Sequence, residues 1–322
     1  MTTTLPVPGP RRLSLGRLVY LLWYQPLGWC ERSWREGGPI EQWRTHQGRR
    51  AMTAAAHRLA PLPVTAPLPG APALFFLTGA AFWEQTAFCL RSLQVAAPEQ
   101  RWPVGVIDDG TLPEPARLSL ERAFPGLSVA APSRTENALE RFLPAGRFPT
   151  LRSHRIDYKH LRKLTDTHAL HPGWNLVLDS DMLFFSRPEE LLRWLRNPDG
   201  PLVMTDLANA YGYAPEILAS LDGLAPPARI NVGITALSTH QLNWSQVERW
   251  TYTLLRQHGS SYFLEQALVA LLLAGRPFTQ LDEARYRVLP ANDEIARPSA
   301  VLHHYVAHAK RDYFRHAWRR FA

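Results

Sequence analysis

Trp174-Asn175-Leu176-Val177-Leu178-Asp179-Ser180-Asp181-Met182-Leu183-Phe184-Phe185 joins an apolar run to an acidic triplet. Fed from Pro172-Gly173, residues 174–178 read as a short buried strand. Side chains i and i+2 of an extended backbone share a face. Asp179 and Asp181 would therefore stand together at the carboxyl end of the strand, where open α/β sheets hold their ligands. Two carboxylates there suit a hard divalent cation that is also held by phosphate oxygens. The competing reading is a solvated turn, since an Asp-x-Asp often arises by chance. Its position directly after a Val/Leu strand favours the ion, because a carboxylate pair left uncompensated at a sheet end is costly.

Composition bounds the rest. With 322 residues, 46% hydrophobic and 20% charged, the chain can bury the core of one large domain or two small ones. No stretch approaches the ~20 apolar residues needed to cross a bilayer. Arg11-Arg12 precede an apolar patch at 18–24, but Arg17 interrupts the approach and no small-residue cleavage site follows. A secretory or twin-arginine signal is therefore not expected. Cys30 and Cys89 alone make neither a disulfide scaffold nor a zinc site, and a reducing, cytoplasmic setting fits them. The net charge of +8 is concentrated in residues 11–50 and 310–320. Such a surface attracts phosphate from a nucleotide, a nucleic acid or an anionic membrane, so charge alone selects no partner.

Three sections follow along the chain. Residues 1–60 form an Arg/Trp-rich helical extension, with a helix from Pro39 to about residue 59 and proline at its first position. Residues 61–72 are a Pro-rich linker. From residue 73 strands (73–77, 104–107, 127–130, 174–178) alternate with helices (82–94, 115–124, 157–170), and a further apolar strand at 202–205 ends at Asp206. This alternation predicts an α/β fold with a mostly parallel sheet covered by helices on both faces.

The order of motifs adds to this. The first strand ends in Leu77-Thr78-Gly79, and the second in Val106-Ile107-Asp108-Asp109-Gly110. Lys163-Leu164 lies ahead of the acidic triplet. Ile230-Asn231-Val232-Gly233, Tyr262-Phe263-Leu264-Glu265-Gln266 and His304-Tyr305-Val306-Ala307-His308-Ala309-Lys310 follow it. From about residue 73 to 310 this series resembles nucleotide-sugar glycosyltransferases of the GT-A fold, in the group that holds glycogenin and bacterial lipopolysaccharide galactosyltransferases. The resemblance implies a nucleotide-sugar half at 73–200. Residues 201–322 would supply the acceptor half and a C-terminal metal and diphosphate segment.

The resemblance also implies roles. Thr78, Asp108 and Asp109 match positions that hold uridine and ribose, and Lys163 a basic residue at the sugar-nucleotide site. Asp179-Ser180-Asp181 matches the motif that binds metal and ribose. Asn231 and Gly233 match a segment lining the sugar pocket. Glu265-Gln266 stands where the family has Asp-Gln, His304 matches the third metal ligand, and Lys310 matches a lysine on the diphosphate. The chain departs from the pattern in three places: Ala307 replaces a glycine, a Pro-Trp after the lysine is absent, and Glu265 replaces Asp. Donor sugar and stereochemistry therefore stay open.

Chemistry supports the same assignment. Breaking a sugar–diphosphate bond needs positive charge against the leaving group, from a chelated cation and Lys310. A histidine beside carboxylates leans toward Mn²⁺ over Mg²⁺. Taken singly, His304 reads equally as one histidine of a His-rich tail, Glu265 as a helix-surface carboxylate, and Asn231-Val232-Gly233 as a strand entry. The expected partners are a UDP-type sugar donor and a glycan, lipid-linked or protein acceptor, with no nucleic acid. Retention is expected with Glu265 beside the reacting sugar, and Asp206 is the alternative as a general base for inversion. A sugar-1-phosphate nucleotidyltransferase would want a glycine-rich loop after the first strand, which Leu77-Thr78-Gly79-Ala80-Ala81 does not supply. An inactive relative or a basic adaptor would not need Asp179, Asp181 and His304. Trp23, Trp29, Trp34 and Trp43 with their arginines fit either a peripheral contact at the inner membrane face or a helical cover on the catalytic domain. The lack of a sustained amphipathic stripe favours the cover.

Overall fold

The computed structural model describes residues 38–62, 71–99 and 103–322. The extension before residue 38, with Trp23, Trp29 and Trp34, and most of the Pro-rich linker lie outside the described residues.

The central sheet has seven strands in the order β3-β2-β1-β4-β7-β6-β8. They are β1 (Ala73–Thr78), β2 (Val104–Asp108), β3 (Leu127–Ala130), β4 (Trp174–Leu178), β6 (Leu202–Thr205), β7 (Ile230–Ser238) and β8 (Thr279–Gln280). Strands β1 to β4 are mutually parallel, β7 is antiparallel to β4 and to β6, and β8 is parallel to β6. The sheet is thus mostly parallel with one reversed strand, a GT-A-like arrangement.

Period-two alternation explains why both faces are covered. In β1, Leu74 and Phe76 join the core beneath helix Trp83–Ala96, while Phe75 meets Ile107 and Val177 on the opposite face, near Leu170. On that second face a separate apolar cluster gathers Leu161, Leu164, Val247, Leu264 and Leu268. A smaller sheet, β5-β10-β9, joins β5 (Met182–Phe184), β9 (Tyr286–Val288) and β10 (Leu302–His304). Its register sets His304 opposite Met182, and Tyr305 N donates to Asp181 O at 2.8 Å. Two segments distant in sequence thereby meet at the acidic triplet.

Two expectations need correction. The helix read over 157–170 is interrupted: one helix, Pro149–Asp157, ends there, a 3₁₀ turn spans Lys159–Leu161, and the next helix is Arg162–Leu170. Tyr158, at the break (φ −102°, ψ 83°), donates its hydroxyl to Tyr262 O at 2.6 Å. Helices Pro132–Phe142 and Pro149–Asp157 were absent from the sequence reading, although each opens with proline near its first position, a usable start signal.

Helix α1 (Pro39–Ala56) lies over the C-terminal helix α2 (Lys310–Arg315). Met52 and Ala56 enter the main core. A Cβ at Gly48 would stand 2.5 Å from Phe314 O, so only glycine permits this approach. Arg315 pairs with Glu41, and Arg49 with the buried Glu84 at 2.8 Å.

Candidate active site

Beyond the carboxyl ends of β1, β4 and β6 opens a cleft of about 750 Å³, within the range of small-ligand sites. At its centre Asp179, Asp181 and His304 each offer one ligand atom, all within 4.8 Å of one another. His304 Nε2 lies 3.2 Å from Asp181 Oδ1 and 3.7 Å from Asp179 Oδ2. Two carboxylates and an imidazole converging this closely fit a divalent cation. Buried His304 Nδ1 has no hydrogen-bond partner among the described residues, and Gly233 explains how the ring fits. A Cβ there would stand 2.7 Å from the imidazole, so this glycine makes room for the ring.

Lysines flank the carboxylates. Lys310 Nζ lies 2.9 Å from Asp181 Oδ2, and the buried Lys163 Nζ bridges Asp179 Oδ1 at 2.8 Å and Glu265 Oε2 at 3.0 Å. Burial would raise the Asp181 carboxyl, but the facing His304 and Lys310 outweigh it and hold it well below the usual range. Burial would likewise lower His304, and Asp181 with Asp179 raises it instead. At Glu265 burial prevails over Lys163, and its carboxyl is pushed up to about 7. Lys163 is held above the ordinary lysine range because its two carboxylates outweigh its own burial. Among these residues Lys163 supports the site from below, its ammonium shared between two carboxylates.

At the β6–β7 end, Asp206 Oδ2 accepts from Asn231 Nδ2 at 3.0 Å and Gln266 Nε2 at 3.1 Å. Asn231 Oδ1 also accepts from Gly233 N at 2.9 Å, so one amide ties the carboxylate to the strand beneath His304. At the β1–β2 end, Thr78, Asp109 and Phe82 line the cleft. Asp109 Oδ2 accepts from Lys159 at 2.8 Å. Burial raises its carboxyl, but Lys159 and Thr111 bring it below the ordinary value. Asp108 is placed differently: its Oδ1 accepts the backbone N–H groups of Gly110, Thr111 and Leu112, shaping the loop without lining the cleft. Ser180 does line it.

Several cleft residues escaped the sequence reading. Tyr158 accepts from Glu265 N at 3.3 Å while donating to Tyr262 O, which locks the start of helix Leu264–Leu273 where Glu265 sits. Lys159, His160 and Tyr262 also line the cleft. Only the basic pair Lys159/Lys163, one helical turn apart, was a local signal. Away from the cleft, Glu294 accepts from Ser299 N, Ala300 N and His303 Nε2 at 2.7–2.8 Å, which fixes the strand that delivers His304. Ala307, in the position where the resembled family carries glycine, adopts φ 47°. That left-handed backbone favours glycine.

No family model and no curated protein matches the chain. Among solved structures, mouse xyloside xylosyltransferase 1 in its apo form is 12% identical with a TM-score of 0.50, over 72% of this chain and 97% of that one. The WbbM bifunctional glycosyltransferase is 12% identical with a TM-score of 0.49, over 76% and 47%. The galactosyltransferase LgtC with donor and acceptor sugar analogues is 14% identical with a TM-score of 0.49, over 77% and 93%. The first of these likenesses shows the fold: this chain is built on the GT-A-like α/β plan of a glycosyltransferase.

Proposed function

We propose that the protein is a metal-dependent glycosyltransferase that moves a hexose from a nucleotide diphosphate sugar, UDP-linked by preference, to an acceptor hydroxyl with retention. The observation that carries this reading is the meeting of Asp179, Asp181 and His304, with Lys310 alongside, at the sheet end of one cleft. Those three side chains would hold Mn²⁺, or Mg²⁺, which supplies Lewis-acid stabilisation of the departing diphosphate.

The chain's own groups carry the remaining steps. Lys310 sets a positive charge against the leaving phosphates as the sugar C1–O bond breaks and its electron pair departs with them, while the acceptor oxygen bonds to C1 and its proton passes to the departing diphosphate. Thr78 and Asp109 receive the nucleoside at the β1–β2 end. Asn231 and Gln266 orient Asp206 toward the sugar end. The Glu265 carboxyl, pushed up to about 7 by burial, stands beside the reacting sugar, and Lys163 offsets part of that shift. The acceptor is a glycan, lipid-linked or protein hydroxyl, and the division into nucleotide-sugar and acceptor halves at residue 200 is part of this proposal.

The test follows turnover of UDP-hexoses with Mn²⁺ by NMR of the product's first-formed anomeric proton. An α product from an α donor, with a larger rate loss in Glu265→Gln than in Asp206→Asn, is expected. A β product contradicts retention and shifts the catalytic role to Asp206. Pyrophosphate release from UTP and a sugar 1-phosphate would replace the proposal with a nucleotidyltransferase.

A further inference from the structure

We infer that the outward face of α1 is a docking surface for an anionic lipid bilayer. The helix has two unlike sides. Gly48, Met52 and Ala56 are buried against the C-terminal helix and the core. The opposite side carries Ile40, Trp43, Arg44 and Arg50, continued past the helix end by Arg58. Their spacing places all five on one stripe of a 3.6-residue helix. Ile40 is 66% exposed and Trp43 62%.

One carboxylate reaches this stripe, at Arg44. Glu41, the only acidic residue of the helix, is turned aside onto Arg315 and Arg44. Arg50 and Arg58 make no ion pair among the described residues, so their charge is available to a partner. Scattered apolar residues on a surface are ordinary. A tryptophan and an isoleucine on the same face as Arg50 and Arg58 are a more specific combination. Tryptophan is stable at headgroup depth, and arginine reaches lipid phosphate while its stem lies on apolar surface. A nucleic acid would use the arginines but gain nothing from the exposed isoleucine.

No helix of the described residues is long and apolar enough to cross a membrane.

Sedimentation of the full chain with vesicles tests this. Vesicles of phosphatidylcholine with roughly one third phosphatidylglycerol should carry the protein down, and pure phosphatidylcholine should not. Each surface cation contributes about five-fold to partition, so the Arg50→Glu/Arg58→Glu variant should bind at least ~10-fold more weakly. Ile40→Ala/Trp43→Ala should also lose binding, while both variants keep their melting temperature and UDP affinity. Wild type that ignores anionic vesicles, or variants that bind them undiminished, would overturn the inference. So would heparin binding that is stronger than vesicle binding and is lost only in the arginine variant, since that assigns the stripe to a soluble polyanion.

Discussion

At the β1–β2 end of the cleft the loop after β2 is held mainly by local hydrogen bonds, from Asp108 and Asp109 to the N–H groups of residues 110–112, with an added ion pair from Asp109 to Lys159. At the centre the residues come from four separate segments, around Lys163, Asp179–Asp181, Glu265 and His304–Lys310, and hold each other by charge. The first arrangement loses one hydrogen bond at a time, worth about 1 kcal/mol each. The second leaves a buried charge without its partner whenever one member is removed, which costs several times more. The difference predicts where the molecule tolerates change.

The largest structural effect is expected at Lys163, which sits between two carboxylates and is buried. Lys163→Met should lower unfolding free energy by about 3–5 kcal/mol, the range for breaking a buried pair. Chemical denaturation measures it. A loss under ~1 kcal/mol would show that the centre is no more charge-dependent than the loop end.

A smaller effect is expected at His304. His304→Ala should weaken Mn²⁺ by about 1–2 kcal/mol, roughly 5- to 30-fold, as one ligand of a chelate is lost. Unchanged Mn²⁺ affinity would return His304 to the role of a packed tail histidine. At the loop end the effect is a preference among nucleotides. With Thr78 and Asp109 lining the end of the cleft proposed to take the nucleoside, UDP should raise the melting temperature more than GDP, CDP or ADP in the presence of Mn²⁺. A greater shift with GDP would remove the donor assignment.

What the sequence disclosed follows the same division. Strand 174–178 matches its observed bounds because an apolar run entering from Pro-Gly and ending in Asp is a local signal. Asp179 and Asp181 also prove to share one site, although they sit in the bend between β4 and β5 and not on the extended backbone that the sequence suggests. The link from Asp181 to His304 depends on β5 pairing with β10, which no local pattern contains; only the family resemblance reached it. Asp108 and Asp109 are the same residue type in adjacent positions, yet one shapes the loop and the other lines the cleft. The break at Tyr158 carries no local signal, and its hydroxyl bond to Tyr262 is a tertiary contact.

The central claim is that Asp179, Asp181 and His304 form a metal-dependent nucleotide site, and calorimetric titration of UDP into the protein with and without Mn²⁺ tests it most directly. The account predicts tight binding only with Mn²⁺ in the wild type, and no Mn²⁺-dependent binding in a folded Asp181→Asn variant. Equal UDP affinity with and without Mn²⁺, or an Asp181→Asn protein that binds as the wild type does, would contradict it.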